Sequence, residues 1–159
     1  GTWPGPGWDS HASTLTQVLL AIQAQIMNDT PLRNEPAYER AGSSAVKIYN
    51  AVIRANTIKV GMLDILTYPP AGFEPMVISF FTSAKKLEIA KQLVSWTRMA
   101  KDLVICQKEL TSVIYYTCGQ SVIAGATVDT FKDLLVSRTT YYAEKVLTHL
   151  EMTDYIAQL

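Results

Sequence analysis

Residues 1–40 read GTWPGPGWDSHASTLTQVLLAIQAQIMNDTPLRNEPAYER, and this stretch carries most of the information in the sequence. Its first residues are rich in Gly and Pro, which favour turns, and the absence of an initiator Met predicts that the chain begins inside a domain. The following run has apolar residues at the spacing of one helix face, namely Leu15, Val18, Leu19, Ile22 and Ile26. Because Leu20 and Ala24 widen this apolar surface, we expect the helix to be largely buried or to keep a second contact face.

The composition favours a folded domain without a charged partner. The 159 residues are 48% apolar and 18% charged, and 14 basic residues balance 14 acidic ones. A neutral chain has no field that would steer it to nucleic acid or to an anionic membrane, so neither partner is predicted. No apolar run reaches the roughly 18 residues of a membrane span, and no signal peptide is recognisable. Cys106 and Cys118 are expected to be reduced thiols in a cytoplasmic protein.

The apolar periodicity predicts a mainly α-helical chain of five or six helices, and no segment shows the alternation of a strand. The first expected helix is capped by Ser10 or Ser13 and ends near Met27, and the second is opened by Ser43 or Ser44 and runs to about Leu66 with a phase shift near Asn56. The others are a short helix from Pro75, a long one from Ala84 to about Tyr116, and one capped by Asp129 and ending near Gln158. The same spacing assigns core positions, among them Met76, Phe80, Phe81, Leu87, Leu93, Val104, Leu134 and Leu147.

The residues form no recognisable catalytic or metal-binding motif. His11 and His149 are the only histidines, and neither has the cysteine or carboxylate spacing of a zinc site. No Gly-rich phosphate loop and no Ser–His–acid set can be assigned. We therefore predict no metal and no cofactor, and the residues alone indicate only a helical domain.

The stretch from Trp8 to Ile22, WDSHASTLTQVLLAI, resembles the segment just downstream of the catalytic cysteine in ubiquitin-conjugating enzymes. That family has a Trp, a small polar turn and then a helix reading V-L-L-x-I. The loop NEPAYER, from Asn34 to Arg40, narrows the resemblance to the large BRUCE or Apollon type, which combines conjugation with ligase activity. Weaker similarity continues to Phe81 and ends near Ala100. The resemblance thus implies that residues 1–100 are the C-terminal part of a conjugating domain and residues 101–159 a helical extension.

The resemblance also implies an acyl-transfer mechanism. In the family a cysteine thiolate carries ubiquitin as a thioester, and a substrate lysine amine attacks it. That cysteine, the neighbouring His-Pro-Asn turn and the β-meander of the α+β fold precede the motif that begins at Gly1. This chain is therefore expected to hold no catalytic residue and to be inactive alone, and Cys106 and Cys118 are not assigned that role. The implied partners are ubiquitin, its activating enzyme and a ligase.

Three groups of site residues follow from the resemblance, residue by residue. They are a donor-ubiquitin face of Gln17, Leu20 and Ala24, an active-site flank and ligase-facing turn of Trp8, Asp9 and Ser10, and a gate loop of Asn34 and Glu35. An exposed Leu20 would explain why it lies outside the core stripe of its helix, and the alternative is that Leu20 is simply core. In the gate role the Glu35 carboxylate would desolvate or orient the incoming lysine. Because Glu35 precedes a proline, the alternative is that it is simply a turn residue.

Two other functions remain open. The chain could be a non-catalytic scaffold for ubiquitin or a ligase, or a helical interaction module. In the interaction module a partner would contact Leu20, Trp96 and the tyrosine pairs Tyr115-Tyr116 and Tyr141-Tyr142. Because the family's crossover helix packs on a sheet that this chain lacks, we also expect exposed apolar surface, and with it either marginal stability or self-association.

Overall fold

The computed structural model describes Asp9, residues 11–117 and residues 127–159. These residues are helical and contain no strand, which confirms the predicted mainly α fold. The α-helices are α1 (Leu15–Ala21), α2 (Ser43–Asn56), α3 (Ile65–Thr67), α4 (Glu74–Thr82), α5 (Lys86–Lys101), α6 (Gln107–Thr117) and α7 (Val128–His149). Two π-helical segments, Ile22–Ile26 and Thr57–Asp64, and two 3-10 segments, Pro31–Asn34 and Thr153–Gln158, complete the described helices. Within this part of the chain no helix is both long and apolar enough to cross a membrane.

The chain divides into two compact units, Gly1–Ala41 and Gly42–Leu159. In the second unit, Ile48, Leu110 and Phe131 belong to one buried cluster, so residues on both sides of position 100 share a core. The division into a conjugating-domain part at residues 1–100 and an extension at residues 101–159 concerns the sequence relationship and stays a prediction.

The first unit is built around α1 and its continuation into the π segment. The predicted caps were Ser10 or Ser13, but Thr14 is the cap: its Oγ1 accepts the Gln17 N–H at 3.2 Å, and its own N–H donates to Gln17 Oε1 at 2.7 Å. This reciprocal capping box needs a hydroxyl residue three positions before Gln or Glu, which only Thr14 provides here. The Ser13 hydroxyl instead accepts the Asp9 N–H at 3.1 Å, and Ser10 lies outside the described residues.

The first long helix of the second unit changes its winding midway. Helix α2 passes without a break into the π-helix Thr57–Asp64 and then into α3. This confirms the predicted phase shift near Asn56. A regular helix would place Lys59 seven residues after Val52 and four after Ala55, in the middle of the buried face.

In the structure Lys59 lies within the π segment and has an ion-pair partner there. Lys59 is turned towards solvent, and its Nζ lies 2.8 Å from Asp64 Oδ2, five residues further on. This spacing suits a π-helix, whose hydrogen bonds join residues i and i+5. Ile58, three residues after the buried Ala55, is fully buried.

Two apolar clusters form the core of the second unit. The first joins the start of α2 and of α7, represented by Ile48 and Phe131, to Ala100 near the end of α5. The second joins Ile58 and Val146, which lie later in those two helices, to Ala90 near the start of α5. Helix α7 therefore runs in the same direction as α2 and its continuation, and α5 runs the opposite way between the same two clusters.

The predicted helix from Ala84 to about Tyr116 is wrong, because the chain breaks between α5 and α6. Leu103 is buried in this break, whereas Val104 next to it is 85% exposed. A straight helix rises 1.5 Å per residue and would carry Leu110 and Val113 past the first cluster. The break lets α6 fold back along α2, where both side chains are fully buried.

The last helix is also shorter than predicted. Helix α7 ends at His149, and a turn with Glu151 at a positive φ of 54° leads into the 3-10 segment Thr153–Gln158. The predicted N-cap of α7, Asp129, is wrong. The cap is Thr127, whose Oγ1 accepts the Thr130 N–H at 3.2 Å.

The core assignments are correct in part. Phe81, Leu93 and Leu147 are buried as predicted. The assignments that are wrong, because the side chains are exposed, are Met76, Phe80, Leu87, Val104 and Leu134. In α4 the core position is taken by Phe81, next to Phe80, and in α7 by Leu135, next to Leu134. The buried side of each helix is therefore narrower than the apolar pattern.

Candidate functional site

The three residues of the predicted donor-ubiquitin face are all exposed on α1 and its π continuation. Leu20 is 57% exposed, and Gln17 and Ala24 are exposed with it. Their spacing of three and four residues places them on one side of a helix. The Gln17 Oε1 accepts the Thr14 N–H in the helix cap. The Gln17 amide nitrogen takes no part in the cap.

The opposite side of α1 is also uncovered. Leu15 is 70% exposed, Leu19 and Ile26 are exposed, and Ile22 is half-buried. No residue of α1 or of its π continuation is buried. Exposure therefore does not separate the proposed ubiquitin face from the predicted core stripe. Both sides of this short amphipathic element offer apolar surface to another molecule or segment.

The predicted gate loop follows α1 and is tied back to it by two asparagines. Asn34 Nδ2 donates to the Ile26 carbonyl at 3.1 Å, and Asn28 Nδ2 donates to Asn34 Oδ1 at 3.2 Å. Asn28 Nδ2 also donates to the Gln25 carbonyl at 2.7 Å. These contacts satisfy carbonyls that the end of a helix leaves without partners. Asn34 thus has a structural role in holding the loop against the helix end.

Glu35 follows Asn34, and its carboxylate takes no part in these hydrogen bonds. The residue is exposed, and within the described residues the carboxylate has no hydrogen-bond partner. Its backbone is fixed, because the Glu35 N–H donates to the Leu32 carbonyl at 3.1 Å and the Glu35 carbonyl accepts the Tyr38 N–H at 3.0 Å. Leu32 beneath it is fully buried. The loop therefore presents a free carboxylate on an ordered turn.

Asp9 is the one residue of the predicted ligase-facing turn within the described part of the chain. Its Oδ1 accepts the His11 N–H at 2.9 Å, and its carbonyl accepts the Ser13 N–H at 2.7 Å. This is the local bonding that lets Asp organise a turn before a helix. Trp8 and Ser10 lie outside the described residues.

The structure brings no metal-binding cluster together in the region that it describes. No group of three or more His, Cys, Asp and Glu side chains that could hold a metal occurs among those residues. Cys106 is an exposed free thiol in the segment between α5 and α6, and Cys118 lies outside the described residues.

Sequence reasoning missed two positioning residues, Thr14 and Asn28. The T-x-x-Q pattern of a capping box was the available signal for Thr14. Asn28 follows the predicted end of the first helix near Met27, and this position does not show which backbone carbonyls its amide will reach.

Comparison with known proteins gives several ubiquitin-conjugating enzymes as relatives. No family model matches the chain, and no solved structure matches it. It is 33% identical over 110 residues to a protein of Acanthamoeba polyphaga mimivirus named as a probable ubiquitin-conjugating enzyme E2. It is 32% identical over 103 residues to human BIRC6, a dual E2 ubiquitin-conjugating enzyme and E3 ubiquitin-protein ligase, and 43% identical over 67 residues to ubiquitin-conjugating enzyme E2 Z of Xenopus tropicalis.

These matches cover 64%, 60% and 42% of this chain, respectively. The chain spans only 8%, 2% and 21% of the lengths of the three relatives. A dual conjugating enzyme and ligase is among them, as the NEPAYER loop predicted. The comparisons therefore confirm the resemblance, and a large part of this chain is related to segments of ubiquitin-conjugating enzymes.

Proposed function

We propose that this chain is the helical part of a ubiquitin-conjugating unit that passes ubiquitin from a cysteine thioester to a substrate lysine. The observation that carries the proposal is the shared sequence with conjugating enzymes, which includes the dual conjugating enzyme and ligase. The two uncovered sides of α1 support it, since a crossover helix needs one side for its own domain and one for donor ubiquitin.

The proposed reaction requires no covalent step on this chain. A neutral lysine amine attacks the thioester carbonyl and forms the C–N bond, and the tetrahedral intermediate then collapses as the C–S bond breaks and the thiolate leaves. The lysine proton must be removed during this step. In the proposal the thiolate belongs to a cysteine outside this chain, and the chain is inactive without it.

The residues of the first unit have separate roles in this proposal. Leu20, flanked by Gln17 and Ala24, packs on donor ubiquitin and restricts its motion, which raises the fraction of thioester poised for attack. Glu35 orients the incoming lysine and accepts its proton, as its uncommitted carboxylate on an ordered turn allows.

The same proposal assigns the partners. Trp8, Asp9 and Ser10 flank the active site and face the ligase, and the activating enzyme loads the cysteine. The second candidate, a non-catalytic scaffold for ubiquitin or a ligase, would use the same Leu20 surface without the chemistry. It is supported by the exposed apolar surface of α1, which binding alone would use.

Thioester formation on the native protein, with whatever residues accompany this chain, tests the proposal. The protein is incubated with activating enzyme, ATP and ubiquitin, and the adduct is resolved with and without reducing agent. We expect a thiol-sensitive adduct that survives Cys106→Ser and maps to a cysteine outside this chain. Absence of an adduct would favour the scaffold, and an adduct on Cys106 would overturn the assignment of roles.

A further inference from the structure

Helix α4 carries an apolar stripe that faces solvent. Phe73, Met76 and Phe80 recur at the spacing of one helix side, and we call them the α4 stripe. Met76 is 67% exposed, Phe80 is 48% exposed, and Phe73 is exposed as well. Phe81, on the adjacent side, is the residue that the helix buries. Aromatic residues and methionine are the apolar residues most enriched where proteins contact partners.

Phe80 is held in a fixed position within this stripe. Its ring lies 5.2 Å from the buried Phe81 ring in an edge-to-face arrangement with an interplanar angle of 81°. The Lys85 ammonium stands over the Phe80 ring at 5.0 Å from its centroid. A side chain that is already ordered loses little conformational entropy when a partner covers it, so Phe80 is suited to be an anchor.

The charge beside the stripe is positive. Lys85 borders Phe80 directly, and the one acidic residue of α4, Glu74, lies two positions from Met76 and therefore on another side of the helix. Lysine beside an exposed ring favours a partner that brings a carboxylate together with its apolar residues, and it disfavours a basic partner.

The size of the stripe favours a short segment over a second copy of the chain. Three half-exposed side chains offer roughly 300 Å², given that an aromatic side chain can bury about 200 Å². A stable specific interface buries about 800 Å² on each partner. We propose that the α4 stripe with Lys85 docks a short partner segment whose apolar residues have helical spacing and are flanked by carboxylates. This surface lies in the second unit and is independent of the proposed ubiquitin transfer.

The test uses a random dodecapeptide library displayed on phage and selected against the full chain. Enriched sequences are synthesised with a fluorescent label, and their affinities are measured by anisotropy for the wild type, Phe80→Ala, Met76→Ser, Lys85→Glu and Ile78→Ala. Ile78 is the matched control, because it is 58% exposed on another side of the same helix. Circular dichroism and urea unfolding establish that each variant is folded before its affinity is compared.

We expect enriched peptides to combine apolar residues three or four positions apart with Asp or Glu. Phe80→Ala and Lys85→Glu should each weaken binding about tenfold, and Ile78→Ala should leave it unchanged. Higher salt should weaken binding to the wild type and not to Lys85→Glu. Enrichment without acidic residues, equal binding to Phe80→Ala and wild type, or a dimer that Phe80→Ala dissociates would each overturn the proposal, the last in favour of a second copy.

Discussion

Replacing Ile58 by Ala tests how the π segment Thr57–Asp64 of the second unit packs into the core. Ile58 is fully buried and lies in one apolar cluster with Leu93 and Val146. The substitution removes three carbon atoms, which at about 0.8 kcal/mol per buried methylene contribute about 2.4 kcal/mol. The cavity left behind adds to this loss, so the free energy of unfolding should fall by about 3–4 kcal/mol.

Urea unfolding followed by far-ultraviolet circular dichroism measures this loss. The urea concentration at the unfolding midpoint should fall. The dependence of the unfolding free energy on urea concentration should stay unchanged, because the same surface is exposed on unfolding. Val60→Ala is the matched control in the same π segment, since Val60 is exposed and should change the free energy of unfolding by less than about 0.5 kcal/mol. A loss below about 1 kcal/mol for Ile58→Ala, or a larger loss for Val60→Ala, would refute the placement of these side chains.

Two further predictions concern local contacts. Thr14→Ala removes the capping box of α1 and should destabilise that helix by about 1 kcal/mol. Amide hydrogen exchange in α1 should be faster in Thr14→Ala and unchanged in the control Ser13→Ala. Equal exchange rates in the two variants would contradict the cap. The hydrogen bond and ion pair with Asp64 raise the pKa of Lys59 in the folded chain. A raised folded-state pKa means that the pair's contribution is present below the ordinary lysine pKa of about 10.4 and is lost as pH rises through the folded value. The urea midpoint should therefore fall across that alkaline range in the wild type more than in Asp64→Asn, and identical pH profiles would rule the contribution out.

The change of winding after Asn56 was predictable because a charged residue interrupts the apolar phase. Lys59 stands where a regular helix would bury it, and Asp64 five residues later gives it a partner in the π geometry. The capping box was available in the sequence as well, since Thr14 and Gln17 have the required spacing. In both places a local rule between near neighbours determines the structure.

The break between α5 and α6 was not predictable in this way. No Gly or Pro marks residues 102–106, and the apolar spacing continues across them. The chain turns there because α6 buries Leu110 and Val113 against α2, a contact between residues far apart in sequence. The role of Asn34 was missed for a related reason, since its amide reaches the carbonyl of Ile26, eight residues earlier.

The candidate site was predicted through resemblance, and its chemistry does not follow from these residues alone. Leu20 and Glu35 are an exposed leucine and an exposed carboxylate, and many surfaces carry both. Their role in our proposal comes from the resemblance to conjugating enzymes. Their assignment therefore depends on a measurement of transfer.

Single-turnover discharge of ubiquitin from the native protein's thioester to free lysine tests the central claim most directly. The account predicts that Leu20→Glu slows discharge about tenfold or more with thioester loading unchanged, because a charge on this surface prevents donor ubiquitin from packing there. Val104→Glu, at an exposed apolar residue of the second unit, should leave the rate unchanged. Equal discharge rates for Leu20→Glu and wild type would contradict the assignment of α1 as the donor-ubiquitin helix.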